Sequence, residues 1–299
     1  MKPDSQLAGR IKEGTLIITA EYAPRTGTDA AVIKQCAASL RDGITAVNVA
    51  DNHYGIAMSS LAASVGLINS GIEPVFQIVT RDRNRIALQS DLLGAAYLGI
   101  KNVLCLSGYH QKLTGNAESS NVFDIDSIQL VATAKKMNEG FLLDGTKIQG
   151  EFSMLVGAVA NPFVIPLELN LLRLQKKITA GADFIQTQAV FDTDAFASWL
   201  AAAREKGLTD RATILAGVLP LTGADEALRL KDKYTDMMIP DEMISRLKSA
   251  GDETAQLKEG LTICTEIIQK IKNLPGLRGI HIMSGGNERL VPQLISALK

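Results

Sequence analysis

Short, nearly continuous apolar segments alternate with longer segments of helical periodicity along the whole chain. Continuous apolar segments of this length are typical of parallel β-strands whose outer faces are covered by helices. The sequence therefore predicts eight strands. The eight segments span residues 16–22, 46–52, 74–80, 102–108, 153–160, 184–190, 213–219 and 279–285.

Apolar residues at helical spacing predict helices between these strands. Residues 166–180 begin with Pro166 at a favourable first helical position and end before Gly181. An extra helix at 254–273, preceded by the short segment 239–250, lies before the last strand. The other predicted helices are 30–41, 57–69, 84–98, 193–206, 222–232 and 288–298.

Two folds are consistent with this alternation, a closed barrel and a doubly wound open sheet. No G-x-G-x-x-G motif follows the first strand, so the dinucleotide-binding form of the open sheet lacks its main signal. The eightfold repeat and the length of 299 residues favour the barrel. Because no Pro/Gly/Ser-rich linker divides the chain, we predict an α/β protein: one (β/α)₈ TIM barrel over residues 1–299, with an extra helix before the last strand.

Composition narrows the range of partners. The formal net charge is -1 and charges of both signs are interspersed, so neither nucleic acid nor an anionic membrane is expected as a partner. No apolar run approaches the ~20 residues of a membrane span, and a cytoplasmic protein is expected. His53, His110 and His281 have no accompanying ligand set, and the three cysteines are far apart, so no metal site is predicted.

In a (β/α)₈ barrel the active site lies at the C-terminal ends of the strands and in the loops that follow them. Polar side chains cluster at these positions, so they are expected to converge on one mouth of the barrel. They are Glu21, Asp51, Asn52, residues 77–82, residues 107–110, Asn161, Gln186, Gln188, Thr222, Ser284 and Asn287.

Three groups at this mouth are candidates for chemistry, each with an ordinary alternative. Glu21 beside apolar groups can act as a general acid with a raised pKa, or it is a solvated strand-end charge. Gln186 and Gln188 point the same way and suit a pterin or amide-bearing ligand, or they are satisfied core amides. The segment TRDRNR (80–85) offers three arginines for a cofactor phosphate, or forms a salt-bridged helix start.

Several motifs occur in the order found in one enzyme family. From about residue 15 to the C-terminus, ITAEYAPRTGTD, VADN, RDRNRIALQSDLLGAAYLGIKNVLCLSG, FDIDSI, VGAVANP, AGADFIQTQAVFD and AGVLPLT resemble the methylenetetrahydrofolate reductases. AGADFIQTQAVFD is the most specific of these segments. The resemblance is closest to the branch in which the domain can be fused to a methyltransferase and to the reductases of acetogenic bacteria.

The resemblance implies a barrel that binds FAD, or FMN, without a covalent bond and reduces 5,10-methylenetetrahydrofolate to 5-methyltetrahydrofolate. Glu21 matches the family's general acid, which protonates folate N10. Gln188, Tyr109 and Asn161 are predicted to contact folate. The predicted flavin contacts are Ser59, Gln77, Arg81, Ser107, Tyr109 and His110.

Two positions depart from the family pattern. The chain has SGYHQ where the family usually has Gly-Asp, so Tyr109 replaces an aspartate near the flavin, and reduction of the flavin is expected to be easier. Gln77 stands where many relatives have histidine, which affects one flavin contact.

The electron donor and the assembly are open at this stage. The resemblance implies NAD(P)H or a partner electron-transfer subunit as the donor, and a homo-oligomer is also compatible with the sequence. Two other functions remain open: a pterin-binding methyltransferase barrel that needs no flavin, and a non-catalytic subunit of a reductase complex.

Overall fold

The computed structural model describes residues 3–53, 55–234 and 237–298. The described residues form a closed barrel of eight parallel strands in sequence order, with β8 pairing back onto β1. This confirms the predicted fold. The strands are β1 Ile17–Tyr22, β2 Ala46–Val49, β3 Pro74–Val79, β4 Asn102–Leu106, β5 Leu155–Ala160, β6 Phe184–Ala189, β7 Thr213–Val218 and β8 Leu277–Ile282.

Helices cover the outside of the barrel and close one of its ends. The predicted extra helix before the last strand is present as α11, with the shorter α10 before it. None of the described helices is both long and apolar enough to cross a membrane. The helices are α1 Gln6–Glu13, α2 Ala30–Leu40, α3 Ser60–Ile68, α4 Arg85–Tyr97, α5 Ser127–Asn138, α6 Leu167–Thr179, α7 Thr193–Glu205, α8 Leu208–Arg211, α9 Ala224–Lys233, α10 Asp241–Ser249, α11 Glu253–Ile271 and α12 Val291–Leu298.

Helix α5 was not predicted, although the sequence carries a start signal for it. The Asp126 side chain accepts a hydrogen bond from the Gln129 N–H, and the Gln129 side chain accepts one from the Asp126 N–H. This reciprocal arrangement is a capping box, which satisfies two backbone donors at a helix N-terminus. The buried face of α5 includes Ser127 and Thr133 among its apolar residues, which weakens its hydrophobic periodicity.

Helix α1 was also not predicted, and it closes the N-terminal end of the barrel. Leu7 is fully buried and packs with Ile17, Val75 and other inward-facing residues of the strands. The Glu73 carboxylate accepts hydrogen bonds from the Gln6 and Leu7 N–H groups at 2.6 and 3.0 Å. A carboxylate is favourable at a helix N-terminus because the free N–H groups there carry partial positive charge.

The barrel interior changes from apolar to polar along its axis. Near α1 it is filled by a cluster of Leu7, Ile17, Ala46, Val75, Leu104, Leu155, Phe184 and Leu215. Toward the C-terminal ends of the strands, the inward-facing positions include Thr19, Asn48, Gln77, Gln186 and His281, all buried. The apolar end therefore stabilises the barrel, while the polar end forms the base of the mouth.

Packing inside the apolar end depends on Gly157. It is the register partner of Phe184 on the next strand, and a Cβ at position 157 would overlap the Phe184 ring. We expect Gly157→Ala to lower the free energy of unfolding by about 1–3 kcal/mol, because the added methyl group overpacks a filled core.

Gly94→Ala is the matched control, because a Cβ at Gly94 in α4 meets no atom within 4 Å. That variant should be neutral or up to about 1 kcal/mol more stable, since alanine favours helix. Urea unfolding measures both differences. Equal stability of the Gly157→Ala variant and the wild type would show that Phe184 moves aside without cost.

Candidate functional site

A cavity of about 330 Å³ opens at the C-terminal ends of the strands. Its size lies at the lower end of the range for small-molecule sites, which are mostly apolar with a few placed polar groups. The lining consists of Glu21, Asp51, His53, Gln77, Val79, Arg81, Leu104, Leu106, Ser107, Gly108, Tyr109, Ser127, Val159, Lys177, Gln186, Thr187, Gln188, Leu219, Glu226, Leu230, Tyr234, Met237, Met283 and Gly285.

The fold brings most of the predicted site residues to this cavity. They come from distant parts of the chain, and the closed barrel places them around one mouth. The predicted residues in the lining are Glu21, Gln77, Arg81, Ser107, Tyr109 and Gln188.

Ser59, His110 and Asn161 lie outside this lining, and each has a local structural role. The exposed Ser59 hydroxyl caps α3 by accepting from the Ala62 N–H at 3.2 Å. His110 caps a 3₁₀ turn, and its Nε2 lies 2.9 Å from Asn121 Nδ2. The Asn161 carbonyl accepts from Asn170 Nδ2 at 2.7 Å.

Glu21, at the C-terminal end of β1, lies in surroundings that favour the protonated, neutral form of its carboxyl. Burial, and next the negative charge of Glu288, raise the pKa of Glu21 from its ordinary value of 4.5 to about 7, while a hydrogen bond with Ser284 acts in the opposite direction. Its Oε1 atom is buried and has no hydrogen-bond partner among the described residues. Glu21 is therefore a carboxyl that can give or take a proton near neutral pH.

Glu288 is a second carboxylate that the sequence reasoning did not single out. It is buried in the loop after β8, where it accepts from the Ala23 N–H at 3.2 Å and from Arg25 Nη2 at 3.3 Å. Arg25 also donates to the Gly286 carbonyl at 2.6 Å. These bonds tie the loop after β1 to the loop after β8 and hold a negative charge close to Glu21.

The two glutamines of β6 have different environments. Gln186 is buried and its Oε1 accepts from Asn48 Nδ2 at 2.7 Å across the barrel, so it is a satisfied core amide at the base of the cavity. Gln188 stands one step higher in the wall, and its Nε2 donates to the Tyr109 hydroxyl at 3.4 Å. Gln188 is thus an amide of the cavity wall near the mouth.

Three aromatic side chains from separate loops meet in the cavity. The Tyr109 ring lies 5.0 Å from that of Tyr234 and 5.9 Å from that of His53. Burial, followed by the charges of Arg81 and Lys233, lowers the pKa of His53 to about 4, so its ring is neutral at physiological pH. Tyr234 was missed because it follows α9, away from any strand end.

The three arginines after β3 are all paired with carboxylates. Arg81 also donates to the carbonyls of Asn52 and Tyr109, so its guanidinium fixes two loops of the mouth. The salt bridges agree with the alternative of a salt-bridged helix start, while Arg81 lies in the cavity lining and its contact with a cofactor stays a prediction. The N–O distances are 2.7 Å for Arg81–Asp82, 2.7 Å for Arg83–Asp51 and 2.8 Å for Arg85–Asp124.

Lys177 is a cation of the lining that the sequence reasoning also missed. It belongs to α6, and its Nζ donates to the Val159 carbonyl at 2.6 Å. Burial, and next the charge of Arg173, lower the pKa of Lys177 to about 8. No salt bridge joins it to a carboxylate among the described residues, so its charge is available to an anionic group such as a phosphate.

No group of three or more His, Cys, Asp or Glu side chains in the described part of the chain is arranged to hold a metal ion. The lining instead offers the proton-holding carboxyl of Glu21, neutral amides, aromatic rings and the Lys177 ammonium, together with Glu226 and the ion-paired Asp51 and Arg81.

Comparison with known proteins links this site to one family. The family model described as methylenetetrahydrofolate reductase matches residues 6–299. A probable methylenetetrahydrofolate reductase (NADPH) of Caenorhabditis elegans is 22% identical over 245 residues, covering 80% of this chain and 34% of the relative. Methylenetetrahydrofolate reductase (NADH) 1 of Zea mays is 28% identical over 194 residues, covering 62% of this chain and 31% of the relative. The chain thus spans about a third of these relatives.

Solved structures share the fold. An uncharacterized protein from Clostridium thermocellum, described as binding two copies of 5-methyl-5,6,7,8-tetrahydrofolic acid, aligns with a TM-score of 0.71 at 14% identity and covers 99% of this chain and 98% of its own. An F420-dependent secondary alcohol dehydrogenase aligns with a TM-score of 0.54 at 13% identity, covering 95% and 99%. At these identities the likeness concerns the fold alone.

The raised pKa of Glu21 has a consequence for stability. The folded protein holds this proton more tightly than the unfolded chain, so the stabilisation is present below the ordinary value of 4.5 and is lost as the pH rises toward about 7. Glu21→Gln removes the titration. The free energy of unfolding of the variant, minus that of the wild type, should therefore increase between pH 5 and pH 8 in urea unfolding experiments.

Glu13→Gln serves as the control for loss of one negative charge, because Glu13 lies at an exposed position in α1. Its difference from the wild type should stay nearly constant over the same range. Glu288 and Ser284, which act on the Glu21 carboxyl, are unchanged in both variants. A Glu21→Gln difference that does not vary with pH would contradict the raised pKa.

Proposed function

Because this chain belongs to the methylenetetrahydrofolate reductase family, we propose that it catalyses the flavin-dependent reduction of 5,10-methylenetetrahydrofolate to 5-methyltetrahydrofolate. The observation that carries the proposal is the position of Glu21: a carboxyl with a pKa near 7 in the wall of a cavity that also presents the amide of Gln188. The reaction needs both a proton donor near neutral pH and a recognition group for a pterin.

The proposed role of Glu21 is general acid catalysis. Its proton passes to N10 of the folate, the bond between N10 and the methylene carbon breaks, and the methylene carbon becomes an electrophilic iminium at N5. Glu21 is then a carboxylate and must regain a proton before the next turnover. A pKa near 7 suits both steps, because the group gives up and recovers its proton at small energetic cost.

The proposed role of Gln188 is to orient the substrate. Its Nε2 is directed to the Tyr109 hydroxyl, so its Oε1 is the atom that accepts from a pterin N–H. Gln77 adds a second neutral amide on the cavity wall. Neutral amides recognise the donor and acceptor edges of a pterin without placing an unpaired charge beside the electrophilic carbon.

The lining also fits a flavin. Leu106, Val159, Leu219 and Met283 offer apolar walls to a planar ring, and Lys177 offers a positive charge to the phosphate of FAD or FMN. When bound, the flavin supplies a hydride to the methylene carbon. We propose a reduced nicotinamide, as in the names of the NADPH and NADH relatives, or a partner electron-transfer protein as the source of electrons.

The cofactor in protein purified without additions tests the proposal. A yellow protein with absorbance near ~450 nm, the characteristic region for flavins, supports the reductase. A colourless protein that binds methyltetrahydrofolate and transfers its methyl group would instead support the pterin-binding methyltransferase. A flavin-bearing protein that does not reduce methylenetetrahydrofolate, even with reduced viologen, would support the non-catalytic subunit.

Glu21→Gln should reduce kcat by about 10²- to 10⁴-fold, because glutamine keeps the shape of the side chain and cannot donate a proton to N10. An anaerobic assay with reduced viologen and 5,10-methylenetetrahydrofolate measures this without requiring the physiological donor. Flavin content should be unchanged, and Glu13→Gln should retain full activity. Wild-type turnover by the Glu21→Gln variant would exclude this role for Glu21.

Tyr109→Asp should lower the midpoint potential of the bound flavin, because a negative charge opposes the build-up of charge on the reduced ring. For charges near 4 Å apart the interaction of about 1–4 kcal/mol corresponds to roughly 20–90 mV for a two-electron couple. Tyr109→Phe keeps a neutral aromatic ring and should leave the potential close to that of the wild type. A wild-type potential at or below that of Tyr109→Asp contradicts the prediction.

A further inference from the structure

Three buried polar atoms without a hydrogen-bond partner among the described residues face the barrel interior on adjacent strands. They are Glu21 Oε1 on β1, Asn48 Oδ1 on β2 and His281 Nε2 on β8. Strand β1 pairs with both β2 and β8, and Glu21 is the register partner of Asn48. Thr19, two residues before Glu21 and on the same face of β1, is the register partner of His281. The three atoms therefore belong to neighbouring layers of the interior.

The hydrogen bonds made by the other atoms of these side chains determine which of the three unpartnered atoms is a donor and which are acceptors. The Thr19 hydroxyl lies 2.9 Å from His281 Nδ1, and both residues are buried. The Thr19 hydroxyl has no other acceptor among the described residues, so we assign its proton to the bond with Nδ1 and the ring proton of His281 to Nε2. The low pKa of His281, caused by burial, keeps the ring neutral.

Asn48 is oriented in the same way by its neighbour. Its Nδ2 donates to Gln186 Oε1 at 2.7 Å, so its Oδ1 is an acceptor that points away from this bond. Glu21 Oε1 is also an acceptor when the carboxyl is ionised, or when its proton is on the other oxygen. The three atoms thus form a set of one donor and two acceptors.

We propose that one water molecule is bound inside the barrel beneath Glu21, accepting from His281 Nε2–H and donating to Asn48 Oδ1 and Glu21 Oε1. Buried waters typically make about three hydrogen bonds to polar groups that otherwise have no partner. A cation does not complete this set, because the N–H of His281 points its positive end into the site. A water satisfies all three atoms at once.

The water makes Asn48 and His281 positioning residues for Glu21. Held through Oε1, the carboxyl leaves its other oxygen, which is hydrogen-bonded with Ser284, to exchange a proton with the substrate. The donated hydrogen bond also holds the carboxylate in place after its proton has left. This catalytic consequence rests on the proposed function, whereas the water site itself does not.

A crystal structure of the wild-type protein tests the site directly. At a resolution that resolves ordered water, a peak should lie about 2.7–3.2 Å from each of the three atoms. His281→Leu, which lacks the donor, should lose this peak. The proposal is overturned by an interior without such density, by rotation of the three side chains onto protein partners, or by a peak at metal distances of about 2.0–2.2 Å.

Measurements of turnover test the proposed positioning role of His281, with a conservative variant and a matched control. His281→Leu should lower kcat by about 10- to 100-fold with little change in KM, because the acid is displaced while substrate contacts remain. His281→Gln should recover most of this loss, since its Nε2 amide supplies a donor. Ser64→Ala removes a buried hydroxyl in α3 that has no hydrogen-bond partner in the described structure, and it should leave kcat unchanged.

Thermal unfolding shows whether each variant is folded. A low kcat in a folded variant then reflects displacement of the Glu21 carboxyl and not loss of the fold. Unchanged kcat in folded His281→Leu, or failure of folded His281→Gln to exceed it, overturns the positioning role. If His281→Leu does not fold, His281→Gln alone decides: it should keep most of the wild-type kcat and show the water peak. An inactive wild type would reject the proposed function, and the crystallographic peak would still decide the water site.

Discussion

Closure of the barrel forces the inward-facing side chains of eight strands into one shared interior, and the other features of this protein depend on that constraint. Each strand is hydrogen-bonded on both edges, so the inward-facing residues pack against those of the other strands. Near α1 the interior is apolar, and Leu7 of that helix closes it. At the opposite end the strands finish in polar residues, whose burial is costly unless they are hydrogen-bonded.

The lack of a cationic partner among the described residues explains why one buried carboxyl differs from the others. Asp51, Asp82 and Asp124 each pair with an arginine, and this pairing lowers the pKa of Asp82 and Asp124. Glu21 has no cationic partner in the described part of the chain, is buried, and lies near the charge of Glu288, so its neutral form is favoured. The surroundings of Glu21 thus raise its pKa and allow it to hold a proton near neutral pH. The same ion pairs, and the hydrogen bonds from Arg81 to the carbonyls of Asn52 and Tyr109, hold the loops around the mouth of the cavity.

Tyr109 is a second residue whose effect depends on the side chains around it. The Tyr109 ring lies close to those of Tyr234 and His53, while its hydroxyl accepts from Gln188. This one side chain therefore affects both the shape of the mouth and the orientation of the Gln188 amide.

The sequence alone predicted the eight strands, the extra helix and the position of Glu21, Tyr109 and Gln188 at one mouth. These features follow from the periodicity of apolar residues and from the places where strands end, and both can be read from short segments of sequence. It missed α5, whose buried hydroxyls weaken the periodicity, and α1, whose role is to close the barrel. Only the tertiary structure decided which charges are neutralised, that Lys177, Tyr234 and Glu288 join the site, and that Glu21 holds a proton. Pairing, burial and pKa depend on groups distant in sequence, and no local pattern encodes those distances.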